Sequence, residues 1–210
     1  MLTEEGVDDP ARLASRRCWI ADPLDGTSHF VAGLDDFDTF VALTVDGAPV
    51  VAVSLQPVTG LMLGATAGRG AWVQSGDGPR RSLVLAPGTP RRIATKAWLG
   101  APDNLPALEA AASALGATLL EATWSLCPRC FVPPSASIDA MVGLSVGRAV
   151  DASEWDIAPV DLIVREAGGA ATDPRGAPLC YNQPSPSFAS GLIIAADPGL
   201  HRDLVAALRP

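Results

Sequence analysis

No hydrophobic run in this 210-residue sequence reaches the roughly 18 to 20 residues a membrane-spanning helix needs, because Gly, Pro, Asp or Arg interrupts each one first. A membrane partner is therefore not expected. The opening residues, Met1-Leu2-Thr3-Glu4-Glu5, are acidic and lack the basic-then-apolar pattern of a secretory leader, so the expected location is cytoplasmic. Cysteine is scarce: Cys18, Cys127, Cys130 and Cys180 are irregularly spaced, which excludes a disulfide framework and favours reduced thiols. Cys127-Pro128-Arg129-Cys130 has no second cysteine pair and no nearby histidines, which leaves redox or zinc chemistry the lesser reading beside two small side chains near a loop. Histidine occurs only at His29 and His201, and no Ser-His-Asp ordering recommends itself, which argues against a nucleophilic triad. Positive charge is also short. With 15 basic against 23 acidic residues and a net charge of −8, the chain lacks the basic stripe of a nucleic-acid binder.

What is present is apolar content, 48% of the chain, enough for one substantial core and for a single α/β (α+β) domain over residues 1–210. Residues 17–21 read as a short buried strand that runs into the turn-rich segment Asp22-Pro23-Leu24-Asp25-Gly26-Thr27. Asp46-Gly47 between the apolar runs 40–45 and 49–55 predicts a hairpin. Further strands at 60–66 and 70–73 make the N-terminal half an antiparallel meander, followed by a surface loop over 74–90. Helices are expected at 105–115 and 135–146 and from about Asp156, where Val160, Ile163, Val164 and Ala167 share one face and Gly168-Gly169 closes the end. Pro159 suits the first turn of that helix. Strands at 170–172 and 191–195 and a helix over 198–208 complete the chain.

Acidity becomes informative where carboxylates converge, since such a cluster is stable chiefly when a divalent cation neutralises it. Asp22 and Asp25 flank Pro23-Leu24 in one turn, and a hard cation such as magnesium takes carboxylates and a backbone carbonyl like that of Leu24. An isolated turn of this kind also serves as an Asx turn capping a helix. Gly26 lets the backbone approach a ligand closely, and Thr27 adds a hydroxyl at the start of a helical turn, where amides favour an anion such as phosphate. Asp156, at the edge of the best helix, reads equally as an N-cap and as a metal ligand. Glu4 and Glu5 on their own are two solvated acids near a terminus.

Taken in order, Leu2-Thr3-Glu4-Glu5, Trp19-Ile20-Ala21-Asp22-Pro23-Leu24-Asp25-Gly26-Thr27, Trp155-Asp156-Ile157-Ala158-Pro159 and Glu166-Ala167-Gly168-Gly169 resemble the signatures of the inositol monophosphatase family. The resemblance implies a layered α-β-α-β sandwich and a magnesium-dependent, lithium-sensitive phosphomonoesterase. It implies that Glu4, Asp22, the Leu24 carbonyl, Asp25 and Asp156 hold metal, and that Glu4 and Thr27 orient the attacking water. It further implies that the Gly26 and Thr27 amides bind phosphate, with Asp156 also facing substrate. The expected partner is a small phosphorylated polyol or sugar, with inositol monophosphate the family default, and homodimers are common in the family. Bisphosphate nucleotides, histidinol phosphate and a non-catalytic role as a binding protein are the competing expectations. The chain departs from the family pattern in starting almost at Glu4, without the usual N-terminal helical layer, and in carrying His29 after Thr27-Ser28, where it is a candidate substrate contact. Glu154 or Asp151 stands where the family has an acidic substrate contact.

Overall fold

In the computed structural model, which describes residues 1–86, 88–96, 99, 104–132, 137–144, 152–188 and 191–209, the N-terminal half is the expected meander. Strands β1 (Leu2–Thr3), β2 (Arg17–Asp25), β3 (Asp38–Val45), β4 (Ala48–Gln56), β5 (Leu61–Thr66), β6 (Ala71–Ser75) and β7 (Arg81–Leu83) form one seven-stranded sheet in sequential order. Neighbours run antiparallel except β1, which lies parallel to β2. Asp46 and Gly47 both take positive φ, 51° and 79°, the left-handed pair that matches a hairpin to strand twist. Strand β7 falls inside the segment expected to be loop. It is three residues long with one buried side chain, Leu83, too short for an alternating pattern to stand out among Gly, Pro and Arg.

Alternation puts Ile20, Asp22, Phe40, Ala42, Ala52, Ser54, Leu63 and Ala65 on one buried face, while Trp19 and Val41 lie on the other, 50% and 37% exposed. The buried face packs on α3 (Glu154–Glu166), the helix expected near Asp156. Every residue from Ile157 to Val164 is buried, more than one amphipathic stripe requires, because a second sheet covers the helix from the other side. Pro159 sits in the second turn of α3 rather than the first, where it forgoes one backbone bond inside the packed core.

The second sheet comprises β8 (Arg92–Thr95), β9 (Thr118–Glu121), β10 (Ala140–Leu144), β11 (Ala170–Thr172) and β12 (Gly191–Ala195), in the order β11-β12-β10-β8-β9. Helices α2 (Leu105–Ala114) and α4 (Pro198–Ala207) cover its far face. The layers are thus sheet, helix, sheet, helices. The helix expected over 135–146 is corrected here: residues 140–144 are a strand, and the flanking 135–136 and 145–146 lie outside the described residues. Met141 faces the core shared with α3, while Ala140, Val142 and Leu144 face α2 and α4. A strand buried on both faces is an unbroken apolar run, which periodicity cannot tell from a helix.

Candidate metal and phosphate site

Side chains three positions apart on a regular strand point to opposite faces. Between Asp22 and Asp25 the register of β2 against β3 slips, Asp22 pairing with Phe40 and Asp25 with Asp38, so β2 carries one extra residue. This bulge includes Pro23, which has no N–H to lose from the ladder, and it turns Asp25 to the side of Asp22. The expected isolated turn is therefore a kink within a nine-residue strand. The Leu24 amide donates to Asp22 Oδ1 at 2.8 Å, and the Thr39 hydroxyl donates to the Pro23 carbonyl at 2.9 Å, which fixes the bulge.

Asp156 is the third residue of α3 rather than its cap, which is Ser153. Asp156 Oδ2 accepts the Ser153 amide at 2.7 Å, so this carboxylate both closes a capping box and faces the bulge. Carboxylate oxygens of Asp22, Asp25 and Asp156 all lie within 4.8 Å of one another. They border a cavity of about 270 Å³ whose walls also include Glu4, Leu24, Gly26, Thr27 and Ser28. Strand β1, pairing Leu2 with Ile20 and Thr3 with Ala21, brings Glu4 level with Asp22. Gly26 has φ 85°, and a Cβ there would stand 2.9 Å from the Asp36 carbonyl oxygen, so the entry to α1 (Thr27–Val31) is restricted to glycine. The Thr27 hydroxyl donates to the Leu24 carbonyl at 2.9 Å.

Burial pushes the Asp22 carboxyl up to about 7, with Asp25 and Glu4 adding repulsion. Burial likewise lifts Asp25 to about 7, against the lowering effect of the Ser125 hydroxyl, and it pushes Asp156 well above the usual carboxylate range. Three carboxyls in one cavity, all raised by burial and offering only oxygen donors, fit a hard divalent cation, which would favour the charged form of all three.

Two cavity residues escape a reading of motifs. The Ser125 hydroxyl donates to Asp25 Oδ2 in a short bond, and its amide donates to Asp36 Oδ2 at 2.8 Å. Lys96, the chain's only lysine, stands on the cavity wall just after β8 and donates to the Trp124 carbonyl at 2.7 Å. Its rarity among so many arginines was the available signal. Arg129 bridges Asp36 and Asp38, its Nε lying 3.0 Å from Asp38 Oδ2. His29 does not line the cavity: its Nδ1 sits 2.8 Å from Asp36 Oδ2. Glu154 is buried and accepts the Asn182 and Gln183 amides at 2.6 and 2.8 Å, which makes it a structural anchor, while Asp151 lies outside the described residues. Glu5 is exposed and does not line the cavity.

A sandwich of alternating sheets and helices with an oxygen-only acidic cluster at a strand bulge defines a class of metal-site α/β proteins. Residues 1–209 match the Inositol monophosphatase family, and the chain belongs to it. Inositol-1-monophosphatase of Rhizobium meliloti is 32% identical over 186 residues, covering 83% of this chain and 63% of that enzyme. Nus factor SuhB of Pasteurella multocida is 30% identical over 198 residues, covering 91% of this chain and 67% of that protein. The crystal structure of CysQ from Bacteroides thetaiotaomicron, a bacterial member of the family, superposes with a TM-score of 0.73 at 24% identity, covering 93% of this chain and 76% of that one. The chain thus spans about two thirds of the length of the curated relatives it matches. Phosphatases are named among those relatives, which makes this a phosphatase family. Among the described residues no helix is long and apolar enough to cross a membrane.

Proposed function

We propose that the chain hydrolyses a small polyol or sugar phosphate monoester with a divalent cation, magnesium by the family default. The observation that carries this reading is the convergence of Asp22, Asp25 and Asp156 on one cavity. These three carboxylates, with the Leu24 carbonyl and Glu4, are the groups that would hold the cation. When bound, such a cation neutralises charge on the phosphoryl group and makes water a better nucleophile.

The chain's own residues do the rest. The first amides of a helix lack intrahelical acceptors, and Gly26 and Thr27 both line the cavity, so their amides are the groups that would take a phosphate oxygen. The Thr27 hydroxyl hydrogen is held by Leu24, which leaves the Thr27 oxygen as an acceptor that fixes a water for attack. Glu4, which lines the same cavity, takes that water's proton in this reading. Asp156 orients a substrate hydroxyl from the mouth of α3. No covalent intermediate on the protein is needed.

The test is phosphate release from inositol monophosphate, histidinol phosphate and 3′-phosphoadenosine 5′-phosphate, with magnesium, with chelator and with added lithium. Release that requires magnesium and falls with lithium is expected, and the preferred ester names the substrate class. Folded protein that releases phosphate from none of them favours a second reading, an interaction protein, which the similarity to a Nus factor supports.

A further inference from the structure

Cys127 and Cys130 are both buried and their Sγ atoms stand 3.8 Å apart. The separation follows from local structure. Residues Pro128–Phe131 form one turn of 3₁₀ helix with Cys127 as its cap, and in that geometry residues i and i+3 stack over one another. Bringing the sulfurs to a disulfide length of about 2.05 Å takes a side-chain movement of roughly 2 Å within a single turn. A metal is not what the pair is built for: among the described residues the grouped ligands are Asp22, Asp25 and Asp156, with no cysteine among them. Cys130 is also reachable. Cys130 lines a second cavity of about 540 Å³, with Arg129 and Trp124 beside it, large enough for a small oxidant.

The turn is wired to the acidic cluster. As a thiol, Cys130 donates to the Ser125 carbonyl at 3.3 Å. Ser125 in turn donates its hydroxyl to Asp25 and its amide to Asp36. Arg129, between the two cysteines, holds Asp36 and Asp38.

We infer that Cys127 and Cys130 form a redox pair that hydrogen peroxide converts to a disulfide, and that this modification loosens Ser125 beside Asp25. The Cys130 thiolate attacks the peroxide, forming an S–O bond as the O–O bond breaks, and one oxygen leaves as water after taking a proton. Cys127 then attacks the Cys130 sulfur, forming the S–S bond and releasing the second oxygen as water. Two thiols are oxidised and one peroxide is reduced. The hydrogen bond with Cys127, helped by the Arg129 charge, holds the Cys130 thiol below its usual range in spite of burial, while burial pushes Cys127 up. A lowered attacking thiol beside a raised resolving one suits that order of steps.

The first half is tested by mass alone. The reduced full chain is treated with hydrogen peroxide, denatured, alkylated with iodoacetamide and digested. A Cys127–Cys130 peptide without alkylation and lighter by two hydrogens, restored by dithiothreitol, is the expected result. Alkylation of both cysteines, or sulfinic acid on Cys130 with Cys127 free, overturns it. In Cys127→Ala, dimedone should trap a sulfenic acid on Cys130, and absence of that adduct in folded protein counts against Cys130 as the attacking thiol. The second half rests on the proposed phosphatase reading: the oxidised protein should release phosphate about tenfold more slowly and recover on reduction. An unchanged rate after complete disulfide formation removes the link to Ser125. A reduced chain inactive from the outset contradicts the phosphatase reading instead, and leaves the mass result to decide the thiol chemistry.

Discussion

Asp22 and Asp25 face the same cavity across a one-residue bulge, although their spacing in a regular strand would put them on opposite faces of the sheet. The bulge, rather than the acids alone, makes the site. Asp25→Asn keeps the shape of the side chain and the fold but removes the charge, and it should lower magnesium-supported phosphate release by more than about 100-fold. Phosphate release and a magnesium titration on the variant check this. Turnover near that of the parent chain would show that Asp25 holds no cation.

The same carboxylates set a pH dependence of stability. Burial raises Asp22 and Asp25 from 3.8 when unfolded to about 7 when folded. A raised folded value means that the neutral acids contribute stability below the unfolded value, and that this contribution is lost as pH rises through about 7. The chelated chain should therefore melt at a lower temperature at pH 8 than at pH 5. A divalent cation favours the charged acids, so the rise in Tm on adding magnesium should be larger at pH 8 than at pH 5. Equal rises at both pH values would contradict this account. Asp25→Asn, lacking one of these charges, should show a shallower fall with pH in chelator.

Much of this was legible in the sequence, and unevenly so. Period-two alternation and Asp46-Gly47 are local signals, so β2 to β6 of the first sheet could be read strand by strand, while the short edge strands β1 and β7 could not. Of the second sheet only β11 and β12 could be read, because β10 is apolar on both faces and β8 and β9 are four residues each. Asp22, Asp25 and Asp156 stood out by residue type and by their neighbours. Ser125 did not: it reaches Asp25 from 100 positions away, through a loop that only tertiary packing brings into place. His29 shows the converse. Its closeness in sequence to the motif suggested a substrate contact, but Asp36 turns it away from the cavity.

Ser125 supports Asp25 rather than replacing it as a ligand. Ser125→Ala leaves Asp25 without its side-chain donor, while the backbone amide to Asp36 can persist. Magnesium affinity should fall by about 10 to 100-fold with the melting temperature of the chelated protein little changed. Calorimetric titration of metal into the variant tests this. Unaltered affinity would mean that the hydroxyl does not orient the carboxylate.

Glu166 ends α3, where a negative charge opposes the helix dipole, so something else must hold it there. Its two carboxylate oxygens accept the amides of Gly68 and Gly70 at 2.8 Å each. Both glycines sit at positive φ, 70° and 80°, in the turn between β5 and β6, so one side chain ties the central helix to the first sheet. Glu166→Ala should cost about 1 to 3 kcal/mol, because both amides lose a charged acceptor. Glu166→Gln, which keeps one good acceptor oxygen, should lose less. Urea unfolding of the two variants gives the order, and a magnesium titration distinguishes the role. If Glu166→Ala weakened metal binding while leaving stability intact, Glu166 would belong to the acidic site rather than to the scaffold that presents it.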